Sequence, residues 1–163
     1  MRAPRNYFVL IILLTGVLCQ AQPTSESEVM AVVQSIFTGM ASNNGEMVRQ
    51  AFTTDAKMYT IVVDDAGKVQ KREGSLEQFI QRVSQEKEQP YSEPIWNEKV
   101  QIDRQLASVW VDYAFYIGNS FHHCGVDAFH LMKTEGGWQV FHIVDTRRTE
   151  GCTVPEKVQA LYR

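Results

Sequence analysis

Two kinds of apolar periodicity organise the chain. Val29, Val32, Val33, Ile36, Phe37 and Met40 fall at helical spacing behind the N-cap candidates Ser25 and Ser27, predicting an amphipathic helix that ends near Ser42-Asn43-Asn44-Gly45. A shorter helix is predicted over Glu46 to Phe52, with Met47, Val48, Ala51 and Phe52 as its apolar face. Met58 to Val63 then reads as a strand, and Asp64-Asp65-Ala66-Gly67 turns it toward a hairpin partner at Lys68 to Arg72. Leu76, Phe79, Ile80 and Val83 predict a third helix, with Ser75 and Gln78 at capping-box spacing. Its far end, Gln85 to Gln89, is polar, and Pro90 and Pro94 stop it.

Beyond Pro94 the pattern is that of strands. Ile95 to Ile102, a turn near Asp103 to Leu106, and Ala107 to Ile117 lead into the stretch that dominates the chain, Phe121 to Arg148. Its two runs, Phe121 to Lys133 and Trp138 to Arg148, are joined by Thr134-Glu135-Gly136-Gly137, a hairpin signal. Helices first and a long antiparallel meander afterwards predict an α+β domain whose helices cover one face of a curved sheet.

The hairpin also holds all four histidines, so its register decides which of them meet. A two- or four-residue connection pairs Leu131 with Val140, Phe129 with His142, and Asp127 with Val144. One face then carries His123, Asp127, Phe129, Trp138, Val140, His142 and Thr146. The other carries His122, Cys124, Val126, His130, Phe141, Ile143, Asp145 and Arg147. A two-residue connection at Gly118 to Ser120 adds Trp110, Asp112 and Tyr116 to the first face. A slip of one residue in either loop reverses these assignments.

Trp138, Val140 and Val144 need burial, so the Trp138 face is expected to be the covered one. His123, Asp127 and His142 become the acid/base candidates there, with Trp138, Asp112 and Tyr116 as ligand contacts. Burial would raise a carboxyl pKa and lower that of a histidine. The structural alternatives are that His142 is a hydrogen-bonded core histidine and that Asp127 caps a sheet irregularity at Gly125. Asp145 and Arg147, two apart on one face, either form an ion pair closing the open end of the sheet or leave the arginine to grip an anionic ligand. His122 and His130 are about 26 Å apart along a strand. With no helical His-x-x-x-His and no Cys-x-x-Cys spacing, neither a metal site nor a cofactor is expected.

The N-terminus alters the picture of where this domain works. Arg2 and Arg5 precede an uncharged run from Tyr7 to Leu18, and Cys19-Gln20-Ala21 supplies small residues where signal peptidase reads. Residues 1–21 are therefore expected to be a signal peptide and 22–163 a single exported domain, periplasmic or extracellular. The run is short of the roughly 20 residues of a membrane span. Cleavage would move the net charge from −3 to −5, since only two arginines leave. An acidic chain without a basic cluster is a poor partner for nucleic acid. Cys124 and Cys152 then remain, an even count that in an exported protein suggests a disulfide; two unpaired buried thiols are the alternative.

Asn43-Asn44-Gly45-Glu46-Met47-Val48-Arg49-Gln50-Ala51-Phe52-Thr53-Thr54-Asp55-Ala56 resembles the second-helix signature of the nuclear transport factor 2-like superfamily, and Gly136-Gly137-Trp138-Gln139-Val140 its last-strand signature. His123-Cys124-Gly125, Asp145-Thr146-Arg147-Arg148 and Cys152 resemble a secreted bacterial branch of SnoaL-like or lumazine-binding-like proteins. The resemblance implies a cone with a pocket at one end and a homodimer formed through the outer face of the sheet. No motif here matches the catalytic sets of ketosteroid isomerase or limonene epoxide hydrolase. Three roles are open: small-molecule binding in an apolar pocket, acid/base catalysis without a cofactor, or a dimerisation module. Histidines inert in a pocket, a histidine beside a carboxylate with a shifted pKa, and a pocket filled by its own side chains would mark them in turn.

Overall fold

The computed structural model describes residues 25–64 and 66–163. The expected signal peptide lies outside them. Helix α1 (Ser25–Ala41) and helix α2 (Gly45–Ala51) lead directly into strand β1 (Phe52–Val63), followed by β2 (Val69–Gly74) and helix α3 (Leu76–Ser84). Strands β3 (Tyr91–Ser92), β4 (Ile95–Asp103), β5 (Leu106–Ile117), β6 (Ser120–Thr134) and β7 (Gly137–Thr146) complete the sheet. A short helix α4 (Glu156–Gln159) and a 3-10 turn (Ala160–Tyr162) end the chain.

The helices begin where the capping residues place them. Asn44 accepts from the Met47 N–H at 3.0 Å, and Ser75 from the Gln78 N–H at 3.3 Å, each satisfying a donor that helix geometry leaves free. Phe52 is already extended, with φ −111° and ψ 150°, so α2 passes into β1 without a loop. The strand therefore starts six residues before the expected Met58 and takes in Asp55.

The seven strands form one curved, unclosed sheet in the order β2-β1-β7-β6-β5-β3, with β4 also paired to β5. All pairs are antiparallel except β1 with β7, a parallel pairing that joins the two ends of the chain and departs from a pure meander. The inner face is covered by the helices. Val109, Val111, Phe129, Leu131, Trp138 and Val140 pack against Val29, Val33, Ile36 and Phe37 of α1, Val48 of α2, and Ile80 and Val83 of α3. Phe37 meets Phe129 edge-on at 6.1 Å. No helix among the described residues is long and apolar enough to cross a membrane.

A second, smaller cluster lies on the outer face. Trp96, Ala114 and Tyr116 are covered by Val154, Val158 and Tyr162 of the C-terminal segment, with Tyr162 stacked on Tyr116 at 3.7 Å. The Cys124–Cys152 disulfide pins this strap to β6. By closing a loop in the unfolded chain it stabilises the fold by about 3 kcal/mol.

Two irregularities decide which side chains face inward. The β6–β7 register shifts between His130 and Leu131: Leu131 pairs with Val140 as expected, but Phe129 lies opposite Ile143 and Asp127 opposite Asp145. The β5–β6 register shifts between Phe115 and Tyr116, so that Val111, and not Trp110, lies opposite Asp127. Each bulge adds one residue and turns everything beyond it to the other face.

Candidate functional site

The inner face ends in a polar group at the end of the sheet opposite the Trp138 turn. Val111 pairs with Asp127 and Asp127 with Asp145, so three strands bring one apolar and two acidic side chains to the same rung. Asp127 is 3% exposed. Tyr113, one step along β5, lies beside Gly125, where a Cβ would sit 1.8 Å from the Thr146 carbonyl oxygen and 2.8 Å from the Tyr113 ring. Only a glycine admits this close approach of β6 to β7.

Asp145 is held from three sides. Thr60 of β1 donates to its Oδ1 at 2.5 Å, Arg147 Nε donates to its Oδ2 at 2.6 Å, and Tyr113 reaches Oδ2 at 3.5 Å. The Tyr113 hydroxyl donates principally to the Thr146 carbonyl, at 2.8 Å. Burial raises the Tyr113 pKa, and the carboxylates of Glu93, Asp127 and Asp145 reinforce the shift, so the phenol stays protonated and donating. Arg147, half exposed, stands between this group and solvent.

Asp127 has no such support. Its Oδ2 is buried without a hydrogen-bond partner among the described residues. What faces it is the carboxyl of Glu93, from the segment between Pro90 and Pro94. Backbone alternation places it there: Ser92 turns outward to Tyr162, 2.5 Å away, and Glu93 therefore turns inward. Two ionised carboxylates could not hydrogen-bond, so the pair holds a proton between them. Burial first, and then the charge of Asp145, push Glu93 up to about 7; burial and the charge of Glu93 raise Asp127 well above the usual carboxylate range.

His123 completes the group. Its ring lies 5.6 Å from Tyr113 and 5.0 Å from Phe115, centroid to centroid. Burial, followed by the neighbouring Arg147 and His122, lowers its pKa to about 4, so it is a neutral imidazole at physiological pH. Its Nδ1 is 2.8 Å from that of His122, a hydrogen bond in which one ring donates and the other accepts.

Of the residues the sequence singled out, the fold gathers His123, Asp127, Asp145 and Arg147. It separates the rest. His142 sits beyond the β7 bulge on the outer face, Nδ1 to Nδ1 with His130 at 2.9 Å and against the Tyr59 ring at 5.7 Å. Asp112 is on the outer face too, accepting from Asn97 at 2.7 Å, and Tyr116 lies under the C-terminal strap. Trp138 is buried on the inner face as expected, but six residues along β6 from Asp127, or about 20 Å. Glu93 and Tyr113 are additions. Tyr113 was readable only as an apolar strand position, and nothing in the pattern around Glu93 marked an inward carboxylate.

No group of three or more His, Cys, Asp or Glu among the described residues is arranged to hold a metal ion. Two open hollows, of about 490 and 330 Å³, lie elsewhere: one at the β4–β5 turn beside Leu106, Met132 and Phe141, the other along the C-terminal strap beside Tyr116 and Tyr162. The apolar part of the inner face is packed against the helices, and the polar group at its end meets solvent through Arg147 and His123.

Comparison with known proteins identifies the family and the fold. The model of the family described as "Putative lumazine-binding" matches residues 24–144. Among solved structures, an NTF2-like protein of unknown function from Shewanella baltica is 20% identical with a TM-score of 0.59, covering 77% of this chain and 94% of that one. An NTF2-like protein with a cystatin-like fold from Novosphingobium aromaticivorans is 11% identical with a TM-score of 0.61, covering 85% and 89%. An NTF2-like protein from Cytophaga hutchinsonii is 12% identical with a TM-score of 0.61, covering 77% and 100%. No curated protein matches the chain by sequence.

Proposed function

Because the chain belongs to this lumazine-binding-type family and has the NTF2-like fold, we propose that it is an exported small-molecule-binding protein whose ligand seats a planar, N–H-bearing ring against Asp127. One observation carries the reading: a carboxyl 3% exposed, one oxygen of which takes no N–H or hydroxyl from the described residues, at the end of an otherwise apolar inner face. Burying an acceptor without a donor costs about 1–3 kcal/mol. A ligand N–H recovers that cost, and the rings of Tyr113, Phe115 and His123 supply an aromatic wall. The disulfide supports an oxidising compartment. Exposed Leu106, Trp110 and Met132 on the outer face support pairing with a second copy.

Native mass spectrometry with added lumazine tests the binding role. A one-to-one adduct lost in Asp127→Asn is the expected result; an adduct that survives that change overturns the assignment of the site.

One observation favours a second reading, acid/base catalysis without a cofactor. Glu93 titrates near 7 in the same group as a neutral histidine, so a proton donor and an acceptor coexist at physiological pH. Uptake of solvent deuterium into a bound carbonyl compound, abolished by Glu93→Gln, would establish it. Binding without exchange would exclude it.

A further inference from the structure

Resting on that reading of the site, we infer that its ligand is a cation: a planar group with paired N–H donors, of the amidinium or 2-amino-heterocycle kind, which displaces the proton held between Glu93 and Asp127. The hydroxyl donors around the group, and the Nε of Arg147, are already committed. The Tyr113 hydroxyl goes to the Thr146 carbonyl, the Thr60 hydroxyl and Arg147 Nε to Asp145, and the Val126 N–H to the Thr146 hydroxyl. The His123 Nδ1 is shared with His122. Among the acceptors, Asp127 Oδ2 takes no N–H or hydroxyl from the described residues.

Charge points the same way. Glu93 from the β3–β4 segment, Asp127 from β6 and Asp145 from β7 face one another, with Arg147 of β7 as the facing cation and with Tyr113 of β5 and His123 of β6 both uncharged. With one proton on the Glu93–Asp127 pair the group carries a net charge of −1. An anionic ligand would meet that charge, and Arg147, the facing cation, already gives its Nε to Asp145. A carboxylate gripped by the terminal N–H groups of this arginine is the competing outcome, which benzoate probes. A planar cation with two parallel N–H groups matches two facing carboxylates as guanidinium matches one.

The exchange balances. Glu93 and Asp127 share one proton before binding; the cation enters, that proton leaves to the buffer, and the net charge of the group and its ligand is still −1. No oxidant, reductant or metal takes part.

Isothermal titration of the full mature protein with benzamidine, lumazine and benzoate, each in two buffers of different ionisation heat, tests this. Benzamidine is expected to bind at least about tenfold more tightly than lumazine, with no measurable binding of benzoate. The difference in heat between buffers should report about one proton released per benzamidine at about pH 6, falling toward none a unit or two above the pH near 7 where Glu93 titrates. Glu93→Gln should abolish the release, and Asp127→Asn should weaken benzamidine by about tenfold or more while its near-ultraviolet circular dichroism stays that of a folded protein. Lumazine or benzoate binding more tightly than benzamidine would overturn the charge assignment and leave the binding role intact. Benzamidine binding without proton release, or unaffected by Asp127→Asn, would overturn the proton displacement or the location. Failure of all three probes would overturn this inference and the binding role together.

Discussion

Asp127 on β6 lies directly across from Asp145 on β7, two carboxyl groups on one rung of a mostly buried sheet. Like charges facing each other across strands destabilise a sheet. The rung is tolerated because its two members are handled differently: Asp145 is surrounded by donors, and Asp127 shares a proton with Glu93.

The first prediction concerns that division. Arg147→Met removes the facing cation and a hydrogen bond from Asp145, whose side chain is 12% exposed while that of Arg147 is 52% exposed. Removing one partner of a fully buried pair costs about 3–5 kcal/mol, and an exposed pair is worth under about 1. With the arginine half in water, a loss of about 1–2 kcal/mol in urea unfolding is expected. Asp145→Asn combined with Arg147→Met should restore most of it. A double variant no more stable than the single one would show that the ion pair is not what holds the rung.

The second prediction is the pH dependence of stability. Glu93 has a folded pKa near 7 against an ordinary 4.5, so the folded state holds the extra proton and stability falls as pH rises through that window. His123 acts in the opposite sense. Its folded pKa near 4 against an ordinary 6.5 means that the unfolded chain takes the proton first, and stability is lost as pH falls from 6.5 toward 4. The two oppose each other at acid pH, and only the carboxyl pair acts above 6.5. Thermal melts should therefore show Glu93→Gln flattening the decline above pH 6.5, and His123→Gln flattening the decline on the acid side. Identical profiles for wild type and both variants would refute the assignment.

The third prediction isolates the backbone. Gly125→Ala places a methyl group 1.8 Å from the Thr146 carbonyl oxygen, and a backbone atom cannot yield as a side chain can. Overpacking costs about 1–3 kcal/mol even where side chains can adjust. A loss of about 3 kcal/mol or more is expected, with weakened binding of any ligand that depends on the Asp127–Asp145 rung. A melting temperature within a degree or two of wild type would mean that β6 and β7 separate here at little cost.

The helices and the strands of the second half were legible because their apolar residues repeat locally. So was the pairing of Cys124 with Cys152. What escaped was set by single extra residues and by contacts between distant segments. The expected register is right at Leu131 and Val140, yet one bulge beyond it sends His142 outward and brings Asp145 inward. The bulge near Tyr116 does the same to Trp110 and Asp112. A bulge has no periodic signature, and the period of two amplifies it into a reversal of faces. Glu93 was hidden because a two-residue strand between prolines leaves too few positions to show alternation. The parallel pairing of β1 with β7 joins segments over 80 residues apart and leaves no local trace.

The last prediction concerns the C-terminal strap. Trp96, at 8% exposure, and Tyr116, at 4%, owe their cover on the outer face to Val154, Val158 and Tyr162, which reach them through a segment tied down at Cys152. Cys152→Ser lengthens the free tail and restores the entropy that closing the loop removes from the unfolded chain. A loss of about 3 kcal/mol is expected. Because this cluster lies on the face away from Asp127, the lost stability should be accompanied by a red shift of Trp96 emission while ligand binding at the inner face persists. Strapped side chains that remain buried in the variant, with unshifted emission, would show that stacking of Tyr162 on Tyr116 holds the segment without the disulfide. Loss of binding at a temperature where the variant is still folded would show that the two faces are coupled through β5, the strand that carries both Tyr113 and Tyr116.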